Sequence, residues 1–249
     1  MTNTSFTRRA SHRFRRPPAA AVDEACTIRF DKARTYAAPA DAVLPSFADL
    51  VPGVVVGTLT HTTRHSTWFD AEDLRLMDED VAVRRDVADG RTHWVVVGPA
   101  GFAEGDPVRR EYVFRDESEH PAHYPAPHLG PHPVPHRAPA AVRRLVHALL
   151  GHAQLHAVAS GVERRLTVPL LGPGEVHLAD IADVHLDVVR DDGREEVFRE
   201  VDVAVHDLDG VGGRLLARVD RRLSRAGFTP EPAVTDLTRA FGPPAQPSP

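Results

Sequence analysis

The segment Glu195–Val205 restricts the fold more than any other part of this chain: Val197, Val201, Val203 and Val205 alternate with Glu196, Glu200 and Asp202. A period of two sends these side chains to opposite faces of one strand, one apolar and one acidic. Two architectures accept such a strand. An open sheet turns the acids to solvent, whereas a wide barrel packs its valines outward beneath helices and turns the carboxylates into a hydrated lumen. Alternation alone leaves both open.

The same reasoning predicts further strands over residues 26–31, 54–60, 65–69, 81–86, 92–97, 108–115, 157–168 and 175–189. Helices interrupt this pattern in three places. Over Ala140–Leu150, Val142, Leu145, Val146 and Leu149 fall at helical spacing and Gly151 supplies a stop. Over 213–226, Leu215, Leu216, Val219 and Leu223 form one stripe with arginines opposite, ended by Gly227, and 235–241 adds a turn or two. Residues 120–139 are dense in proline, which removes backbone donors and stops helix and central strand alike, so they form a loop or linker. The chain therefore reads as all-β with covering helices (α+β): one domain over 25–241, a basic arm over 1–24 and a proline-rich, unstructured tail over 242–249.

Composition narrows the class of function. The net charge of −5 gives no general attraction to nucleic acid or anionic membranes. No run of about 18 apolar residues exists to span a bilayer, and no secretory apolar core opens the chain, so a cytoplasmic protein is expected. Cys26 stands alone, which excludes an intrachain disulfide and a cysteine-based zinc knuckle. Arg8, Arg9, Arg13, Arg15 and Arg16 form an arm that either touches polyanions or acidic partners or is a solvated tail. His120, His123, His128, His132 and His136 offer imidazoles to Zn²⁺ or Ni²⁺, although their irregular, proline-interrupted spacing equally describes a polar loop. Trp68, Phe69 and Trp94 sit among apolar strand neighbours and are expected in packing rather than base stacking. No HExxH, P-loop, GxSxG or GxGxxG motif is present.

Residues 67–99 join Phe69-Asp70, Asp73-Leu74-Arg75-Leu76, the paired-arginine strand Val83-Arg84-Arg85, a glycine turn and a strand led by Trp94. This order resembles the CYTH domains, the triphosphate-tunnel phosphohydrolases and class IV adenylyl cyclases. The chain is most similar to the CYTH half of actinobacterial CYTH–CHAD proteins, without their helical half. The resemblance implies an eight-stranded antiparallel tunnel barrel, closed or nearly closed, and Mg²⁺- or Mn²⁺-dependent chemistry on a triphosphate. By the same resemblance, Arg84, Arg109, Arg164 and Lys32 would bind phosphate, and Glu111, Asp180, Asp183, Glu200 and Asp202 would hold metal. Polyphosphate or a nucleoside triphosphate is then the expected ligand, with a protein partner as the other candidate.

The chain departs from that pattern where the chemistry is concentrated. The family opens with Glu, Glu and Lys at alternate positions, whereas this chain offers Ile28, Phe30 and Lys32 in one register or Thr27, Arg29 and Asp31 in the other. Alternation favours the second register and the lone lysine favours the first. Asp86, Val97, Ser160, Val162 and Asp236 stand where the family places bases, leaving Arg165 beside Arg164 as a second surviving base. A lumen of this composition is near neutral or negative, and like charges a few ångströms apart cost about 4 kcal/mol at an effective dielectric of 20. Two readings follow: a triphosphatase-like protein with reduced or lost catalysis, or a non-catalytic binding or scaffold module in which Arg84, Arg109 and Arg164 pair with Glu111, Glu200 or Asp202.

Overall fold

The computed structural model describes residues 26–39, 41–99, 101–103, 106–116, 137–206, 211–231 and 236–241. The arginine arm, the five histidines of 120–136 and the tail 242–249 lie outside the described residues. One sheet of eleven strands carries the fold. Eight of them form its wall: β1 (Cys26–Ala37), β3 (Thr60–Asp70), β4 (Ala82–Ala88), β5 (Arg91–Val97), β7 (Asp106–Arg115), β8 (His156–Leu171), β9 (His177–Arg190) and β10 (Glu195–Val205). The short strands β2 (Val55–Val56), β6 (Gly101–Ala103) and β11 (Thr229–Glu231) pair with β8, β7 and β1.

The wall runs β1-β10-β9-β8-β3-β4-β5-β7, and every pairing in it is antiparallel. Its ends meet through β1. The first half of this strand pairs with β7, from Cys26 opposite Phe114 to Lys32 opposite Val108. Its second half pairs with β10, from Lys32 opposite Val205 to Ala37 opposite Glu200. The eight-stranded barrel expected from the sequence is the observed architecture.

Local chemistry explains the tightest turn. β4 and β5 pair from Ala82 opposite Val97 to Ala88 opposite Arg91, leaving only Asp89 and Gly90 between them. Both have positive φ, 49° and 69°. A two-residue hairpin of type I′ needs that conformation twice, and Asp-Gly provides it at low steric cost. The strand expected at 54–60 is instead reduced to β2, because Gly53 turns the chain at φ 80° and Thr60 already belongs to β3.

Two helices cover the barrel from outside. α3 (Val211–Arg225) sets Leu215, Leu216, Val219 and Leu223 against Tyr36, Ile181, Val201 and Val203. α2 (Ala140–Leu150) sets Val142, Val146 and Leu150 against Phe69, Trp94, Val96 and Tyr112. Val201, Val203 and Val205 of β10 therefore point outward beneath a helix and the alternate residues Glu200 and Asp202 point into the lumen, which settles the choice between open sheet and barrel.

The Phe69-Asp70 … Asp73-Leu74-Arg75-Leu76 phrase has a structural role. It forms α1 (Arg75–Asp78), and the fully buried Asp70 caps it, accepting N–H bonds from Ala71 at 2.6 Å, Leu76 at 3.0 Å and Met77 at 3.0 Å. Burial pushes the Asp70 carboxyl pKa up while these three donors pull it down, with burial the larger effect. Arg75 pairs with Asp73 at 2.6 Å and donates to the Leu150 carbonyl at 3.0 Å, tying α1 to the end of α2.

Candidate functional site

Inside the barrel, charged side chains from five strands form one alternating chain. Glu111 of β7 lies 3.5 Å from Arg84 of β4, whose Nε donates to Asp86 at 2.9 Å. Asp86 also accepts from Ser66 Oγ at 2.8 Å and lies 3.6 Å from Arg64 of β3. Arg64 closes on Glu163 of β8 in a short ion pair. Arg165, two residues along, donates to Glu163 at 3.0 Å and to Asp202 of β10 at 2.8 Å. Thr35 of β1 completes the arc with a 3.0 Å hydrogen bond to Asp202. The positions alternate correctly in every strand, because register places Arg64 opposite Glu163, Ser66 opposite Asp86 and Thr35 opposite Asp202.

Three guanidinium groups thus meet four carboxylates, and those at the centre are withdrawn from water: Arg84, Asp86 and Glu163 are all less than 9% exposed. Burial alone would raise the Asp86 carboxyl, but Arg84 and Arg64 outweigh it and hold its pKa below the ordinary value. Glu163 follows the same balance, with burial opposed and overcome by Arg64 and Arg165. Burial works against the Arg165 guanidinium, yet Asp202 and Glu163 hold its pKa above the usual arginine value. The network is built to keep its charges by pairing them.

One end of the lumen is filled by apolar groups and a helix. β9 turns Leu186 and Val188 inward, where they pack with Trp68, Ala159 and Phe198. Gly161 makes room for the Trp68 ring, since a Cβ there would fall 3.1 Å from the ring and 2.5 Å from the Asp187 carbonyl oxygen. α4 (Asp236–Phe241) lies on this cluster with Leu237 and Ala240 buried. Its Arg239 forms a short ion pair with Glu200 and reaches Glu231 at 3.0 Å, and Arg190 stacks over Phe241 at 4.1 Å. α4 therefore fills one mouth, against the ends of β8, β9 and β10 that carry Ala159, Val188 and Phe198.

The residues singled out from sequence are divided by this geometry. Arg84, Glu111, Glu200 and Asp202 share the lumen, each in contact with an opposite charge. Asp180 has the lumen parity of Ala182 and Val184 but sits at the other end of β9, bonded to His177 and His206. Arg164 is on the outer face, paired with Asp187 at 2.6 Å and largely exposed. Asp183 is also outside, where Arg199 holds it at 2.9 Å and 3.1 Å. Neither joins the inner set. In β1, Thr35 carries the lumen parity and Tyr36 is buried under α3, so backbone positions 27, 29 and 31 share the lumen parity, with 29 opposite Glu111 and 31 opposite Arg109. Lys32 is registered against Val108 and Val205, on the opposite parity.

Sequence reasoning missed Arg64, Ser66, Glu163 and Arg239, and it read Asp86 as a missing base rather than as an acceptor for two arginines. A signal existed for part of this set. In β8 the apolar Val162, Leu166 and Val168 occupy even positions, so alternation carries Arg164 outward with them and turns Glu163 and Arg165 inward.

A hard divalent cation needs several oxygen ligands around one point. Glu111, Glu200 and Asp202 are each engaged by a different arginine, and Asp183 lies across the barrel wall. Among the described residues, one group of three His, Asp or Glu donors converges, and it is His177, Asp180 and His206. Among the described residues, the lumen carboxylates do not gather around one point as the magnesium or manganese centre implied by the resemblance would need.

Comparison with solved structures agrees with the barrel. A candidate adenylate cyclase from Bacillus halodurans superposes with a TM-score of 0.51 at 12% identity, covering 86% of this chain and 99% of that one. A candidate adenylyl cyclase from Hippeastrum, described as having dominant triphosphatase activity, gives 0.48 at 12% identity over 86% and 96% of the two chains. A Pyrococcus horikoshii protein gives 0.44 at 9% identity over 86% and 98%. No family model matches the chain, and no curated protein does. The fold is CYTH-like.

Proposed function

We propose that this protein is a triphosphatase-like barrel that has lost hydrolysis, a non-catalytic binding or scaffold module whose lumen is held together by its own ion pairs. One observation carries the reading: among the described residues, the lumen arginines Arg84, Arg64 and Arg165 are already bound by Glu111, Asp86, Glu163 and Asp202. To grip a polyanion they must leave these partners, and the carboxylates left behind would face the phosphate oxygens in a medium of low dielectric. Hydrolysis further requires carboxylates gathered around a metal-activated water, and the lumen carboxylates are dispersed among separate arginines.

The test is phosphate release from tripolyphosphate and from ATP with Mg²⁺ or Mn²⁺, alongside calorimetry with tripolyphosphate. We expect no metal-dependent release and no saturable heat. Metal-dependent release that disappears in Glu200→Ala would overturn the reading.

A second reading keeps the barrel as a receptor for a small oxygen-rich anion. Arg64 Nε and Trp68 Nε1 are buried N–H donors on the lumen side of β3 without a hydrogen-bond partner, which is costly unless an acceptor arrives. Saturable tripolyphosphate or phosphate binding without release selects this reading.

A further inference from the structure

We infer that His177, Asp180 and His206 form a binding site for a first-row transition metal of the Zn²⁺ class, at the mouth of the barrel opposite α4. His177 Nε2 lies 2.8 Å from Asp180 Oδ1 and His206 Nε2 lies 2.9 Å from Asp180 Oδ2. The two imidazole rings have centroids 4.7 Å apart, tilted by 53°. One donor atom from each residue falls within 4.8 Å of the others.

The backbone makes this convergence rigid. His177 opens β9 and pairs with Leu171 just after a register shift between Leu170 and Leu171. Asp180 is held between Pro169 of β8 and Ala204 of β10. His206 follows the last residue of β10, and its N–H donates to the Leu178 carbonyl at 2.9 Å. Two adjacent strands, β9 and β10, therefore carry the three donors and pair with each other and with β8, so few backbone degrees of freedom are lost when an ion enters.

The donor set decides the class of ion. Two imidazole nitrogens with one carboxylate suit Zn²⁺, Co²⁺, Ni²⁺ or Cu²⁺, whereas Mg²⁺ and Ca²⁺ take oxygen shells. An ion roughly 2.0–2.2 Å from each donor would replace the direct His–Asp contacts. With His177, Asp180 and His206 respectively 48%, 28% and 36% exposed at the side chain, the remaining coordination position faces solvent, open to water or an anionic oxygen. This site is independent of the lumen network, because none of its residues contacts Arg64, Arg84 or Arg165 in the pairs described above.

The experiment uses the full chain, freed of any affinity tag and stripped with chelator, titrated with Zn²⁺ by calorimetry and with Co²⁺ by visible absorption. The His-rich stretch of 120–136 is the natural competitor, so three proteins are compared: the wild type, a His177→Ala/His206→Ala variant, and a chain with the five histidines of that stretch changed to Ala. We expect one tight Zn²⁺ equivalent and a ligand-field Co²⁺ spectrum in the wild type. Both should persist when the five histidines are removed. Loss of a ligand should weaken that equivalent at least tenfold, since disturbing even the outer shell of a metal site costs about 10–100-fold. Equal melting temperatures of all three proteins in chelator exclude misfolding as the cause. Unchanged binding in His177→Ala/His206→Ala, no Zn²⁺ binding in the wild type, or Mg²⁺ binding as tightly as Zn²⁺ would each overturn the inference.

Discussion

Glu163→Ala tests the lumen network at its centre. Glu163 is 4% exposed and accepts from Arg64 on one side and Arg165 on the other, so its removal strands two guanidinium groups. Breaking a fully buried ion pair costs about 3–5 kcal/mol, mainly because the surviving charge stays desolvated. Arg64 and Arg165 are 22% and 31% exposed and each keeps a second carboxylate, Asp86 or Asp202, which places the expected loss near the lower end, about 3 kcal/mol. For a chain of this size that corresponds to a fall of about 6–12 °C in melting temperature. Urea unfolding followed by circular dichroism gives the free energy directly, and a cycle with Arg64→Ala should yield a coupling of at least about 1 kcal/mol. A loss below about 1 kcal/mol, typical of solvated surface pairs, would mean that the lumen is open to water and that its charges are not committed to one another.

Other outcomes follow from the same structure. Asp86 and Glu163 have folded-state pKa values held below the ordinary carboxylate value, so the stability they contribute is complete above that value and is lost as pH falls through it toward the folded pKa. Acid unfolding monitored between about pH 5 and 2 should therefore be less steep in Asp86→Asn than in the wild type. Asp70→Ala removes the acceptor of three N–H groups in a fully buried site and should cost about 1–3 kcal/mol, read by thermal unfolding. Gly161→Ala places a methyl against the Trp68 ring and the Asp187 carbonyl, and should destabilise by about 1–3 kcal/mol with an altered tryptophan fluorescence.

Where one strand face was apolar and covered by a helix, the sequence was legible. Val201, Val203 and Val205 of Glu195–Val205 and the stripe of Ala140–Leu150 bury the faces that periodicity assigns them, while Val197, at the start of the strand, is 73% exposed. The first half of β3 was not legible, because Thr60 to Thr63 are exposed and carry no apolar face; the expected strand began at His65 and Arg64 was left out of it. β9 misleads in a different way. Its even positions, Ala182, Val184, Leu186 and Val188, are apolar yet carry the lumen parity; Leu186 and Val188 pack there with Trp68 and α4, which fill that end with hydrophobic groups. Asp183 on the odd face consequently lies outside, where Arg199 satisfies it. Charge pairing across strands depends on register, and four strands must be in place before Arg84, Asp86, Arg64, Glu163, Arg165 and Asp202 become a single chain of contacts.

Calorimetric titration of tripolyphosphate into the wild type and into Glu163→Gln, with and without Mg²⁺, tests most directly whether the lumen arginines are already spoken for. The wild type should give no saturable heat, and Glu163→Gln, which releases Arg64 and Arg165 from their shared carboxylate, should gain measurable affinity. Tight binding to the wild type that Glu163→Gln leaves unchanged would contradict the account.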